Sequence, residues 1–251
     1  MTPPRTTADP EVAKLLQTAL QEMGLYEGLI DGAWGPKSEL AFQIHLNYER
    51  YAAVGALTVK LSPDQQADLA KFLKNWKATT SQTLYAAVAQ ATQIPPELVA
   101  ALHWRECSGD FNAYLHNGDP MTNAGGENIP TVNEPAGILC HSWTTAAIDA
   151  INREATAKAQ SGIEDWTSDL ACMCIFAEYY NGEGYRERGV PDPYVLAGTS
   201  GYAAGKYVAD GHYDPQAVDQ QLGVLVMLKA LGLGEVPHRV QPAAEPIAPA
   251  Q

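Results

Sequence analysis

The chain has 251 residues, a formal net charge of −13, and 46% hydrophobic against 18% charged residues. That apolar content supports at least one sizeable core and excludes wholesale disorder. The acidic balance repels nucleic-acid phosphates and anionic membranes, no stretch reaches the ~18 apolar residues of a membrane span, and neither nucleic acid nor membrane insertion is expected.

Residues 1–9 read as a disordered lead with no apolar h-region, so no signal peptide is expected. Asp9-Pro10 is a helix start, with Asp as the cap and Pro in the first turn. Val12, Leu15, Leu16, Ala19, Leu20 and Met23 then recur at helical spacing until Gly24. After a glycine-rich loop, Pro36 opens a second helix with Leu40, Ala41, Ile44 and Tyr48 on one side. Ser62-Pro63-Asp64 begins a third, with Leu69, Phe72, Leu73 and Trp76 as apolar positions, and Thr79-Thr80-Ser81 breaks it. A domain boundary between residues 52 and 81 would divide a module with its connecting helix, 10–78, from a larger domain, 79–236.

The larger domain opens with a helix over 84–91, and Ile94-Pro95-Pro96-Glu97 starts the next, which runs to Glu106. Residues 107–142 are rich in Gly, Asn and Pro, with room for a short hairpin in 110–140; irregular stretches this long in a compact domain are usually functional. Helices are predicted over 143–159, 163–180 and 216–231, separated by a Gly- and Tyr-rich loop over 181–215, with a disordered tail from 237. The fold class is mainly α, a small three-helix module plus a larger helical domain with minor β content. The four cysteines, Cys107, Cys140, Cys172 and Cys174, are expected as free thiols in a chain this large.

The run Gly24-Leu-Tyr-x-Gly28-x-Ile30-Asp31-Gly32-x-Trp34-Gly35-Pro36, followed by Ser38 and Ala41-Phe42-Gln43, carries glycines where tight turns need them and an Asp able to bond its own backbone two residues on. It resembles the small three-helix peptidoglycan-binding domain family over about residues 11–50. Such modules hold wall-lytic enzymes on their polymer. With a net charge of −13, any such binding would rest on shape, stacking and hydrogen bonds.

Val99, Leu102, His103 and Glu106 fall on one face of the helix that ends at Glu106. A carboxyl on the semi-buried side loses hydration, its pKa rises, and it can donate a proton to a glycosidic oxygen. The spacing alone leaves open a Glu that merely ends a helix in water. The run Arg105-Glu106-Cys-Ser-Gly-Asp-Phe111, continuing to Leu115-His116-Asn117-Gly118-Asp119-Pro120, resembles bacterial and phage lysozyme-like domains similar to the goose-type lysozyme and soluble lytic transglycosylase superfamily. Cys107 stands where that pattern usually has Ser, and Pro135-Ala-Gly137-Ile138-Leu139 stands where its Gly-Leu-Met-Gln would fall. The resemblance spans roughly residues 85–230 and implies Glu106 as general acid, with Asp119 as the carboxylate that positions the attacking water. Asp119 as a mere turn cap, and Asp110 in its place, are the alternatives. Ala177-Glu-Tyr-Tyr-Asn181-Gly182 resembles the Ala-Tyr-Asn-(Ala)-Gly motif that faces the cleft, so His116, Asn117, Tyr180 and Asn181 are implied as substrate-binding residues. Pro193-Tyr194 and the Gly/Tyr-rich stretch to Gly211 also resemble this group, as sugar-stacking rings or as packing.

The resemblance implies a monomeric, cofactor-free muramidase that cleaves the β-1,4 bond between N-acetylmuramic acid and N-acetylglucosamine of peptidoglycan glycan strands. Its modular order resembles an endolysin, phage-encoded and released from the host cytoplasm through a holin-type pore, or exported by another route. Four other readings stay open. Without a second carboxylate, the substrate's own 6-hydroxyl would give an anhydro-muramyl product, as in a lytic transglycosylase. Cys107 with His103, His116 or His141 would be a thiol amidase or peptidase. Cys140, His141, Cys172 and Cys174 would be a metal site, although no Cys-x-x-Cys pair is present. A dead fold would bind the wall without turnover.

Overall fold

The computed structural model describes residues 9–161 and 169–233. The disordered tail expected from 237, the lead up to residue 8 and the start of the helix expected at 163 lie outside those residues. The described chain is mainly helical: α1 (Pro10–Glu22), α2 (Pro36–Tyr51), α3 (Pro63–Lys77), α4 (Thr79–Thr92), α5 (Pro96–Cys107), α6 (Trp143–Arg153), α7 (Ala155–Ser161), α8 (Leu170–Asn181), the short α9 (Gly184–Arg188) and α10 (Pro193–Leu196), and α11 (Val224–Ala230). Strands β1 (Lys206–Ala209) and β2 (His212–Asp214) form an antiparallel pair, with Lys206 opposite Asp214 and Tyr207 opposite Tyr213. No helix among the described residues is long and apolar enough to cross a membrane.

Local chemistry starts α1, α3, α5 and α6 where the sequence predicts, whereas α4 begins at Thr79, on the stretch expected as a break, and not at 84. Asp9 accepts the Glu11 amide ahead of Pro10, and Ser62 and Gln65 cap α3 reciprocally. Pro95 precedes α5, and Ser142 accepts the Thr145 amide at the start of α6. Tertiary contacts redraw other boundaries. The helix expected over 143–159 breaks at Glu154 into α6 and α7, and the one expected over 216–231 is helical only from Val224. The strand pair sits at 206–214, within the stretch predicted as loop, whereas 110–140 holds only the isolated bridges Ala113–Pro120 and Thr122–Asn128.

The buried stripe of α1 is also shifted from the predicted one. Ala13, Gln17 and Leu20 face inward and Leu15 is 71% exposed. The reason is polar. Gln17 is fully buried, accepts the Gly32 amide at 3.0 Å, and donates among the Ala33 carbonyl, Ser38 and Tyr26, so it pins the glycine loop to both helices. Asp31 accepts its turn amide from Ala33 at 2.9 Å, as expected. On α2, Leu40 is 39% exposed, and Ala41, Ile44, Asn47 and Tyr51 form the inward face.

Two apolar clusters follow. A small one joins Leu20, Tyr26 and Ala41. The large one takes in Tyr51, Val54 and Phe72 together with the interiors of α4, α5, α6, α8 and α11. The predicted division at 78/79 therefore cuts through a continuous core: α3 buries Phe72 in the large cluster, and the far end of α2 does the same with Tyr51. The segment after α2 is tied down as well. The Lys60 backbone amide donates to the Gly198 carbonyl at 2.7 Å, and the Lys229 ammonium of α11 donates to the Gly55 and Leu57 carbonyls.

Candidate active site

α5 is the central element. Leu98 to Arg105 are all buried, so the helix has no solvated face, and its last turn delivers Glu106 half-buried into a junction with α8 and α10. Ser108, in the left-handed conformation at φ 52°, ends the helix and turns the chain back. Gly118 (φ +76°) then passes so close that a Cβ there would stand 2.8 Å from the Glu106 carbonyl oxygen. Only glycine brings the 113–120 turn against the helix end in this way.

The hydroxyl of Tyr194, on α10 and only 4% exposed, donates to Glu106 Oε1 at 2.7 Å. Burial pushes the Glu106 carboxyl up to about 7, and the Tyr194 hydrogen bond and the Arg105 charge hold it from rising further. Arg105 itself is anchored. Its guanidinium pairs with buried Asp219 at 3.0 Å, donates to the Leu222 carbonyl and lies 4.5 Å from the centre of the Tyr194 ring. A cavity of about 610 Å³ opens beside Arg105 and Tyr194, which line it with Asn181, Tyr185, Lys206 and Tyr207 among others; Glu106 stands behind Tyr194 and is not part of the lining. The strand pair supplies one wall, where the rings of Tyr185, Tyr207 and Tyr213 pack edge to face.

The other predicted site residues fall in different places. Tyr180 joins Glu106: burial first, then the charges of Glu106 and Cys107, push its phenol well above the usual value, and its hydroxyl donates to the Leu115 carbonyl at 2.9 Å. Asn181 lines the cavity and points its amide at Asp192. Asp119 is 6% exposed and committed to the 131–134 turn. Its Oδ2 accepts the Val132 and Asn133 amides at 2.7 and 2.8 Å, and its Oδ1 accepts the Asn133 side chain. Burial opposes its ionisation, but these bonds outweigh it and hold the carboxyl below the usual range. Asn117 closes the same turn, accepting the Asp119 amide and donating to the Asn133 carbonyl. The His116 side chain, 1% exposed, bonds Asp149 of α6 at 2.9 Å, which turns it away from solvent; burial lowers its pKa.

His103 is packed with Tyr85, Phe111 and Trp143, and its two ring nitrogens meet the Tyr85 hydroxyl and the Asp110 carbonyl. Burial lowers its pKa to about 4, so it is a neutral core histidine. Cys107 faces the Tyr114 carbonyl; burial, then Glu106 and Asp110, push its thiol up, which disfavours the thiolate a nucleophile needs. All four cysteines are free, as expected. Among the described residues no group of three or more His, Cys, Asp and Glu side chains could hold a metal ion.

Sequence reasoning missed two groups. Tyr194 entered only as part of a Gly/Tyr-rich pattern, and no spacing signal links it to a Glu in another helix. Asp192 is fully buried; burial, then the neighbouring Glu178, push its carboxyl up to about 7. Its signal was the Asp-Pro pair, a helix start that α10 confirms: Asp192 accepts the Tyr194 amide at 2.8 Å. No protein-family model, curated protein or solved structure matches the chain.

Proposed function

We propose that the chain cleaves β-1,4 glycosidic bonds of peptidoglycan glycan strands, with Glu106 as the general acid. One observation carries this reading: a half-buried carboxyl at a helix end, held by a tyrosine hydroxyl, stays substantially protonated near neutral pH. Protonation of the leaving oxygen needs such a group. The adjoining cavity, walled by Tyr185, Tyr194 and Tyr207 with polar Asn181 and Lys206, offers ring faces and hydrogen-bonding groups suited to acetamido sugars. The N-terminal segment, with its Gln17-pinned glycine loop, is read as the wall-binding element. Release through a holin-type pore to the wall belongs to the same proposal.

Bond cleavage proceeds as Glu106 passes its proton to the glycosidic oxygen while the anomeric carbon gains positive charge. Water or the substrate's own 6-hydroxyl then attacks that carbon and returns a proton to the Glu106 carboxylate. The engagement of both Asp119 oxygens in the 131–134 turn favours the second attack and an anhydro product. Purified peptidoglycan tests both points. Glu106→Gln is expected to lower turnover by about 10²- to 10⁴-fold, and mass spectrometry is expected to find anhydro ends. Reducing ends would assign hydrolysis, and full turnover by the Gln variant would end the reading.

A further inference from the structure

Arg50 lies at the end of α2, in the segment the sequence assigns to the N-terminal module, yet its side chain crosses to α8 and to the chain that leads into α10. Its Nε donates to Glu178 Oε1 and Oε2 at 2.8 and 3.1 Å, and its outer nitrogen donates to Glu178 Oε1 at 2.5 Å and to the Val190 carbonyl at 2.7 Å. Glu178 is fully buried and also takes Arg186. Val190 begins the run Val190-Pro191-Asp192-Pro193-Tyr194. This strap is clamped at three points: Arg50 on the Val190 carbonyl, Asn181 on the Asp192 carboxyl at 3.3 Å, and the Tyr194 hydroxyl on Glu106. Glu178 and Asn181 stand three residues apart on α8, so one helix face carries the first two clamps. Pro191 and Pro193 have φ fixed by their rings, so the strap has few dihedrals with which to absorb a displacement of its first residue.

We infer that Arg50 is a positioning residue for Glu106: through the 190–194 strap it fixes the tyrosine that donates to the acid, so the N-terminal segment is part of the active site's scaffold. The consequence for turnover rests on the function proposed above; the placement itself does not. Glu106 is faced by Tyr194 from α10, by Tyr180 from α8, and by Arg105 and Cys107 of its own helix. The strap is faced by Arg50, Glu178 and Asn181, by Arg105, and by the phenols of Tyr51 and Tyr185. Loss of the arginine fork lets the strap relax and lengthens the hydrogen bond to Glu106 Oε1.

The test is the titration of the Glu106 side-chain carboxyl, followed by carbon NMR in the full chain, alongside thermal unfolding. Arg50→Lys keeps the positive charge but not the fork that spans Glu178 and Val190. It is expected to move the Glu106 midpoint upward, toward but not beyond the ~1 pH unit expected for Tyr194→Phe. Arg50→Met should move it in the same direction, and if that variant does not fold, the Lys variant carries the test. An unchanged midpoint in Arg50→Lys, whether or not its unfolding temperature falls, overturns the inference, because a purely structural or long-range charge role would leave the acid where it was. These outcomes are independent of whether Glu106→Gln abolishes glycan cleavage.

Discussion

Tyr194→Phe removes the hydroxyl that donates to Glu106 Oε1 at 2.7 Å and keeps the ring against which Arg105 packs at 4.5 Å. A hydrogen bond to an ionised carboxylate contributes about 1.5–3 kcal/mol and one to its neutral form about 0.5–1.5 kcal/mol, so the hydroxyl favours the ionised form by roughly 1–1.5 kcal/mol. That difference is about one pH unit. The carboxyl, already pushed up to about 7 by burial, should therefore titrate about one pH unit higher in the variant. For an enzyme that needs its acid protonated, the alkaline limb of the rate profile moves up by the same amount. At pH 8 the variant would then retain about five times the wild-type fraction of its own plateau rate, while at pH 5–6 both sit on the plateau. The assay is the initial rate of release of soluble glycan from purified peptidoglycan across pH 5–9, at fixed ionic strength. A limb that stays in place or moves down would refute the account, because it would mean that the tyrosine does not act on the ionised acid.

Two further outcomes follow from the carboxyls. Asp192 is held at about 7 in the folded chain against an ordinary value of 3.8. The folded state thus retains a proton that the unfolded chain releases over that window, and stability from this group falls as pH rises through it. Across pH 4–7 that loss amounts to up to about 4 kcal/mol. Chemical denaturation of Asp192→Asn should show the loss removed, so its stability relative to wild type improves from pH 4.5 to 7.5; a constant difference would argue against the buried acid. Asp119→Asn weakens a carboxylate that accepts two backbone amides and is expected to lower stability by about 1–3 kcal/mol, while turnover per folded molecule changes less than tenfold. A loss of about 10²- to 10⁴-fold at unchanged stability would instead identify it as the residue that orients water.

The amino-acid sequence determined the starts of most helices and the position of Glu106 at the end of α5. Caps such as Asp9 and Ser62 and prolines such as Pro36 and Pro96 act within a turn of the backbone they organise. That is why a reading of neighbours along the chain finds them. The turn role of Asp31 was legible for the same reason, and the free thiols followed from the size of a chain that needs no disulfides. Only the tertiary structure decided which way α1 and α2 face, because a buried Gln17 outranks the exposed Leu15 once the glycine loop closes on it. It alone turned His103 and His116 into buried, engaged side chains and committed Asp119 to a neighbouring turn. And it alone set the chemistry of Glu106. A carboxyl's pKa depends on what covers it and what bonds to it, and here the cover is Tyr194 on α10, held in place by Arg50 of α2 through Glu178 and Val190. Groups so far apart in sequence meet only when the core closes, so no periodicity or spacing along the chain could announce them.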